Sequence, residues 1–326
     1  MPHAMPWMIY GANGYTGELI AREAKRRGLT PILAGRSASK VAPLADELGL
    51  PHRSFGLDNA AEVDAGLAGV GLVLHCAGPF SQTSAPMVEG CLRSGCHYLD
   101  ITGEIPVFEH AHAQRERARA ANVVLCPGVG FDVIPTDCVA RALKDALPDA
   151  THLALGFDQP AVLSPGTAKT SIEFAGMGGR VRKDGAIVAV PLAHSARRID
   201  FGNGRKSAMA IPWGDVSTAY YSTGITNIAV YLPAPPLVPG AARLPRRRQR
   251  LERRPGLGDA GAGQRRGGQN LRPAGRVARV RPHQPERPGI VGARPARLGQ
   301  MLAVGLVDED EIGHLHDAAL HPLQLV

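Results

Sequence analysis

Two hydrophobic periodicities alternate along the first 130 residues of the chain. Short strand-like runs occur at residues 6–10, 30–34, 52–55, 71–76, 97–99 and 123–126. Between them lie stretches with apolar positions at helical spacing: 15–27, where Leu19, Ile20 and Ala24 share a face, then 40–48, 59–68, 85–94 and 105–121. Gly28, Gly49 and Gly95 close three of these stretches, as expected where a helix ends in a left-handed residue. The last stretch is read as one long helix whose exposed face carries Glu109, Arg115, Glu116 and Arg119. Strand and helix in strict alternation predict a parallel, doubly wound α/β sheet with right-handed crossovers, a Rossmann domain over residues 1–135. Further strand-like pieces at 152–157, 186–190 and 226–232 predict a partial α+β substrate or dimerisation domain over residues 136–240.

Beyond about residue 232 the pattern stops. Residues 241–300 hold sixteen Arg, no Lys and three acids, and no aromatic residue follows Tyr231. Such a segment buries too little apolar surface to offset its chain entropy. Residues 241–326 are therefore read as a low-complexity basic tail, either disordered or translated from a shifted frame of a GC-rich gene, with one helix-like stretch at 308–320.

This segment changes the meaning of the overall charge. The chain of 326 residues has a formal net charge of +8, but residues 241–300 alone contribute +13, so the folded part is mildly acidic. Nucleic acid is not the expected partner, because the basic tract lacks interleaved aromatics for base stacking. No apolar run reaches the roughly 18 residues of a spanning helix, and the start lacks a secretory pattern, so a cytoplasmic protein is expected. The five cysteines (Cys76, Cys91, Cys96, Cys126 and Cys138) form no Cys-x-x-Cys pair and are read as small core residues. The histidine pairs His110/His112 and His314/His316 are two apart, a spacing that separates ligands on a helix, and no metal site is expected.

In a sheet of this kind ligands bind beyond the carboxyl ends of the strands, so the loops there carry the chemistry. The first is Gly11-Ala12-Asn13-Gly14-Tyr15-Thr16-Gly17, a G-x-x-G-x-x-G variant of the dinucleotide fingerprint between a first strand and a first helix. Gly11 allows the tight turn, Gly14 lets the pyrophosphate approach, and Gly17 lets the helix pack closely on the sheet. Free amides and the positive end of the helix then face the phosphates. The second loop selects the nucleotide. An NAD site carries an acid at the end of the second strand, whereas here Gly35-Arg36-Ser37 stands there and no acid occurs between Glu23 and Asp46. Arg36 and Ser37, with Lys40 nearby, suit a ribose 2′-phosphate, so NADP(H) is the expected cofactor. Asp58 is placed near the adenine, and Ala77-Gly78-Pro79 leave room for the nicotinamide ribose.

Hydride transfer also wants an acid near the ring. Tyr98, Asp100 and Glu104, at the end of the fifth strand, are the catalytic candidates, although Asp100 and Thr102 would equally serve to organise the turn. Asp132 and Lys169 are candidate substrate contacts.

These motifs together resemble the saccharopine dehydrogenase-like reductase family, in particular its trans-acting enoyl reductase branch. The resemblance rests on G-A-N-G-Y-T-G (11–17), L-A-G-R-S (33–37), C-A-G-P-F (76–80), H-Y-L-D-I-T-G-E (97–104), P-G-V-G-F-D-V-I-P-T-D (127–137) and S-P-G-T-A-K-T-S (164–171), and covers about residues 6–235. It implies an NADP-dependent oxidoreductase acting on an enoyl, acyl or related small-molecule substrate, with a possible homodimer through the second sheet. The glycine spacing departs from that of lysine-pathway saccharopine dehydrogenases, which sets a saccharopine reductase behind. A non-catalytic dinucleotide-binding or scaffold protein is the alternative of a different class, since the Arg-rich tail stands where the family continues as globular sequence.

Overall fold

The computed structural model describes residues 5–158, 178–201, 204–234 and the backbone of 302–307. Its first sheet has six strands: β1 (Trp7–Tyr10), β2 (Ile32–Gly35), β3 (His52–Ser54), β4 (Leu72–His75), β5 (His97–Asp100) and β6 (Leu125–Cys126). All five pairings are parallel and the order is β3-β2-β1-β4-β5-β6, so the chain reverses direction across the sheet between β1 and β4. That reversal opens the crevice in which a doubly wound sheet takes its ligand.

Alternation along β1 shows why the sheet is covered on both sides. Met8 and Tyr10 join a buried cluster with Val63 and Leu67 of α3 (Ala60–Leu67) and Met87 and Val88 of α4 (Phe80–Ser94). Ile9 points the other way, to Ala21 of α1 (Tyr15–Arg26) and to Val41, Leu44 and Ala45 of α2 (Ala38–Leu48).

The first five predicted helical stretches are present, with two differences. α4 begins at Phe80 rather than at 85. Nothing local signals that start, because the caps of its first turn come from Glu104, whose carboxylate accepts from Phe80 N (2.9 Å) and Ser81 N (2.7 Å). The stretch read as one helix over 105–121 is two, α5 (Ile105–Ala113) and α6 (Arg115–Ala120), parted at Gln114. There the Gln114 amide divides between the His110 and Ala111 carbonyls and ψ opens to 4°, a bend that keeps both Ala111 and Ala118 buried. Cys91 and Cys96 are core residues as expected, but Cys126 and Cys138 are exposed: β6 is an edge strand, and Cys138 lies on the outer face of α7 (Ile134–Ala146).

The second sheet comprises β7 (His152–Phe157), β8 (Gly179–Lys183), β9 (Ala186–Val190), β10 (Ala196–Asp200), β11 (Arg205–Ile211), β12 (Asn227–Pro233) and β13 (Leu302–Val307). Its main path is β10-β11-β12-β7-β13, with the hairpin β8–β9 attached to β12. Only β12 and β7 run parallel; the other pairings are antiparallel. α7 and α8 (Asp215–Thr223) cover one face through Ala140, Leu143, Val216 and Ala219 against Leu153, Leu155, Ile228 and Val230. β13 falls in the segment assigned on composition to a basic tail. Its run Leu-Ala-Val-Gly-Leu-Val pairs with β7 from Leu302↔Phe157 to Val307↔His152, which covers an otherwise open sheet edge. The other residues of that segment, including the helix-like stretch 308–320, lie outside the described residues, as do Lys169 and the motif 164–171. No described helix is long and apolar enough to cross a membrane.

Arg182 of β8 joins the two sheets. It is 5% exposed and every nitrogen is used: Nε donates to Val216 O (2.8 Å), Nη1 to Gly185 O (2.6 Å) and Nη2 to Glu109 Oε1 (3.1 Å), while the guanidinium lies 4.2 Å from the Tyr220 ring centre. Ser217 also donates to Glu109 Oε1 (2.6 Å), so Glu109, expected on a solvated helix face, instead fastens α5 to α8. Arg182→Leu takes the donor from two carbonyls and leaves Glu109, whose side chain is 38% exposed, with Ser217. It is expected to lower unfolding stability by about 1–3 kcal/mol in urea denaturation, the cost of buried acceptors left unsatisfied, with little added for the solvent-screened ion pair; an unchanged stability would remove Arg182 as the joint.

Candidate active site

The loop after β1 is held by backbone alone. Gly11 N and Ala12 N both donate to Ala34 O (2.7 and 3.1 Å), and Gly14 N returns to Gly11 O (3.0 Å). Gly11 sits at φ 82°, and a Cβ there would lie 2.8 Å from Ala77 N and 2.9 Å from Ala77 Cβ. A Cβ on Gly17 would meet Gly11 O at 2.3 Å. Any side chain at either position would push apart the loop, the helix and the neighbouring turn. The first backbone bond at the start of α1 is Glu18 N to Gly14 O (2.8 Å), which leaves the Tyr15, Thr16 and Gly17 amides pointing out of the helix end. They form a cradle suited to a pyrophosphate. Gly11 and Ala12 take part through shape, since their amides are used on Ala34, while Asn13 is exposed at the rim with its Oδ1 over Gly35.

The loops after β2 and β3 meet at Tyr10. Its hydroxyl donates to Phe55 O (2.9 Å). Burial pushes its pKa up to about 12; Arg36 acts against that shift and Asp58 with it, so both charges lie near the end of β1. Arg36 is exposed and makes no ion pair among the described residues. Ser37 is the N-cap of α2 and its Oγ lies 2.9 Å from Ser39 Oγ, so hydroxyls, backbone amides and a guanidinium gather where an NAD site would carry a carboxylate.

Ala77, Gly78 and Pro79 form the turn between β4 and α4, facing the glycine loop through the Ala77–Gly11 contact. Glu104 and Thr83 clamp this turn. Glu104 takes the Phe80 and Ser81 amides, and Thr83 Oγ1 donates to Ala77 O (2.6 Å) with Pro79 O at 3.1 Å.

The three catalytic candidates at the end of β5 are buried and hydrogen-bonded. Tyr98 and Asp100 are 0% exposed and Glu104 is 3% exposed. Tyr98 OH donates to Asp100 Oδ2 (2.6 Å), and Asp100 Oδ1 accepts from Thr102 N (2.9 Å) and Gly128 N (2.7 Å). Burial raises the Asp100 pKa while these bonds oppose the shift. Asp100 thus ties the loop after β5 to the loop after β6, and Glu104 holds the start of α4.

A different carboxyl stands at the seam between the sheets. Asp132 Oδ2 lies against Gly103, where a Cβ would approach it to 3.1 Å, and the Asp132 carbonyl accepts from Trp213 Nε1 (2.8 Å). Burial pushes its pKa up to about 6. Asp137, at the start of α7, is likewise pushed up to about 6 by burial, opposed by the Thr218 hydroxyl at 3.1 Å. Asp215, at the start of α8, is wholly buried; burial raises it well above the ordinary carboxyl range, Thr136 opposes the shift, and Asp137 and Asp132 add to it. Sequence reading found Asp132 from its loop but missed Asp137 and Asp215. An acid near a helix N-terminus reads as an ordinary first-turn residue until the packing of α7 on α8 removes it from water.

The sequence model of the saccharopine dehydrogenase NADP binding domain matches residues 7–126. Over this stretch the chain is similar to the NADP-binding domain of saccharopine dehydrogenases. Around it, the chain is 31% identical over 150 residues to a saccharopine dehydrogenase-like oxidoreductase of Mus musculus, covering 40% of this chain and 35% of that protein. It is 30% identical over 156 residues to a trans-acting enoyl reductase of Mycobacterium bovis, covering 44% of this chain and 37% of that one. The matches thus span little more than a third of these curated relatives. Among solved structures, saccharopine dehydrogenase (L-Glu forming) of Saccharomyces cerevisiae superimposes with a TM-score of 0.52 at 12% identity over 70% of this chain and 55% of that one, a likeness of fold alone. The matched stretch carries the cradle, the Arg36 loop and the clamped turn; Asp132 lies just past its end.

Asp132 offers a test of the electrostatics. With a folded pKa near 6 against 3.8 for a free carboxyl, the folded state holds a proton that the unfolded chain has released between about pH 4 and 6. The stability this group contributes is therefore largest below pH 4 and falls as pH rises through 6, by up to about 3 kcal/mol. Asp132→Asn, which cannot ionise, should gain on the wild type in urea stability at pH 7.5 and show no gain at pH 4; an equal difference at both values would mean an unshifted carboxyl.

Proposed function

We propose that the chain is an NADPH-dependent oxidoreductase that reduces an unsaturated or carbonyl-linked acyl substrate in the crevice between the two sheets. The observation that carries the cofactor choice is the end of β2: an exposed guanidinium and a helix start stand there, and no carboxylate that would repel a 2′-phosphate. The glycine cradle, closed to any Cβ at Gly11 and Gly17, fits a pyrophosphate pressed against backbone. The bound cofactor supplies a hydride from C4 of its nicotinamide to the electron-poor carbon of the substrate.

The chain's own part is the proton. Asp132, with a pKa near 6, still holds a proton in part of the population at neutral pH and can pass it to the atom next to the reduced carbon, leaving a carboxylate that water recharges. Its neighbours in the chain favour an apolar substrate: Phe131 is 42% and Ile134 45% exposed, two large apolar side chains open to solvent on either side of the acid. The acyl assignment also draws on the trans-acting enoyl reductase relative.

Two experiments test this reading. Isothermal titration of the full chain should show NADPH bound more tightly than NADH, and Arg36→Ala should cost NADPH about tenfold or more while leaving NADH nearly unchanged, as expected when one charge-assisted contact to phosphate is lost; equal losses would refute the NADP assignment. Asp132→Asn should lower the rate of NADPH oxidation with a medium-chain enoyl thioester by about 10²- to 10⁴-fold without weakening NADPH, the usual contribution of a general acid. Full activity in this variant would place the proton donor elsewhere.

A further inference from the structure

His75 ends β4 directly beneath the turn Ala77–Pro79, is 0% exposed, and belongs to none of the groups considered above. Its ring lies among three others, with centres 5.5 Å from Tyr10, 5.5 Å edge-on from Phe80 and 6.1 Å from Tyr98. The titratable groups around it are two phenols, Tyr10 bonded to Phe55 O and Tyr98 bonded to Asp100, and the Asp100 carboxyl itself, the register partner of His75 on β5. Among the described residues neither ring nitrogen hydrogen-bonds a carboxylate that would stabilise an imidazolium.

The hydrogen bonds fix its tautomer. His75 Nε2 lies 3.0 Å from Thr83 Oγ1. The Thr83 hydroxyl has one proton, and its other neighbours, Ala77 O at 2.6 Å and Pro79 O at 3.1 Å, are carbonyls that can only accept. That proton is therefore committed to the turn, and Nε2 must donate to Thr83. Nδ1 is then the bare nitrogen, and it has no hydrogen-bond partner among the described residues. A buried nitrogen left in this state costs free energy, so the arrangement persists because the rest of the contact holds it there.

We propose that His75 is a positioning residue: through Thr83 it holds the Ala77–Pro79 turn at the height at which Ala77 meets Gly11, and so shapes the seat of the nicotinamide-side ribose. This rests on the NADPH reading above. The direction of force is fixed by geometry. His75 donates upward to Thr83, Thr83 donates to the two carbonyls, and Glu104 holds the amides of Phe80 and Ser81 from the opposite side. The turn is gripped by its carbonyls and its amides at once, and the Gly11–Ala77 contact transmits its position to the phosphate loop. Burial, which pushes the His75 pKa down to about 3, keeps the ring neutral and this donor pattern constant across physiological pH.

The test has two readouts. In ¹⁵N spectra of the full chain, the His75 ring, assigned by its loss in His75→Gln, should show a neutral Nε2–H tautomer unchanged from pH 8 to pH 5. An Nδ1–H tautomer, or titration within that range, overturns the proposal without reference to any cofactor. By calorimetry, Thr83→Val and His75→Leu should each weaken NADPH about tenfold, and His75→Gln, whose amide N–H reaches as far as Nε2, should recover most of that loss. Thr83→Val guards against a His75→Leu that does not fold. Wild-type affinity in folded Thr83→Val overturns the positioning role; a wild type that takes up no NADPH overturns the cofactor reading and with it this role, while the ring tautomer is still read on its own.

Discussion

The close approach of Gly11 to Ala77 is the constraint on which the rest of the crevice depends. Two strands that neighbour each other across the reversal of the sheet end in loops whose backbones touch, with room for hydrogen atoms and nothing larger. Only this contact lets one loop present a helix start to phosphates while the other forms a floor beside it. Each loop is then braced on its far side: the glycine loop by Ala34 O, and the turn after β4 by Thr83 and Glu104. The site is rigid because its parts are satisfied by one another.

That economy explains why the acids adjoining the fifth strand are not exposed. Tyr98, Asp100, Thr102 and Glu104 form a chain of hydrogen bonds that crosslinks three loops at the carboxyl end of the sheet. A carboxylate that accepts two backbone amides in a buried place is a structural element, because releasing it would leave those amides without partners in low dielectric. At the seam between the sheets, by contrast, burial without strong donors raises carboxyl pKa values. The same desolvation that shifts Asp132 and Asp137 comes from packing α7 on α8, and the Arg182–Glu109–Ser217 joint holds α8 to α5. Assembly of the two sheets is thus part of what raises these carboxyl pKa values.

Most of the first domain was legible in the sequence. All six strands fall within a few residues of their predicted places, because strand and helix periods differ enough to be told apart and glycine closes several helices. Arg36 was singled out from position alone, and the structure places it exposed at the end of β2. The second sheet was only partly visible: β7, β9 and β12 were read, whereas β8, β10, β11 and α8 were not. Strands such as Arg205–Ile211 begin with charged residues that pair at an exposed end, and α8 is a polar run whose inward face is small. Neither gives a clear period. β13 was missed because it directly follows the arginine-rich stretch 241–300, and the whole of 241–326 was assigned together to one basic tail although its last part carries no arginine.

By itself, the sequence determined the order of elements, the glycine cradle and the charge at the end of β2, because each depends on residues adjacent in the chain or on one repeating period. Tertiary structure alone decided which acids meet water and which hold loops. It also decided that Glu104 caps a helix 24 residues away, that His75 serves a turn through Thr83, and that Asp215 is buried beside Asp132 and Asp137. Local pattern sets conformation, but hydration and hydrogen-bond partners are set by what the fold brings near, and these fix whether a carboxyl is a charge, an acid or a brace.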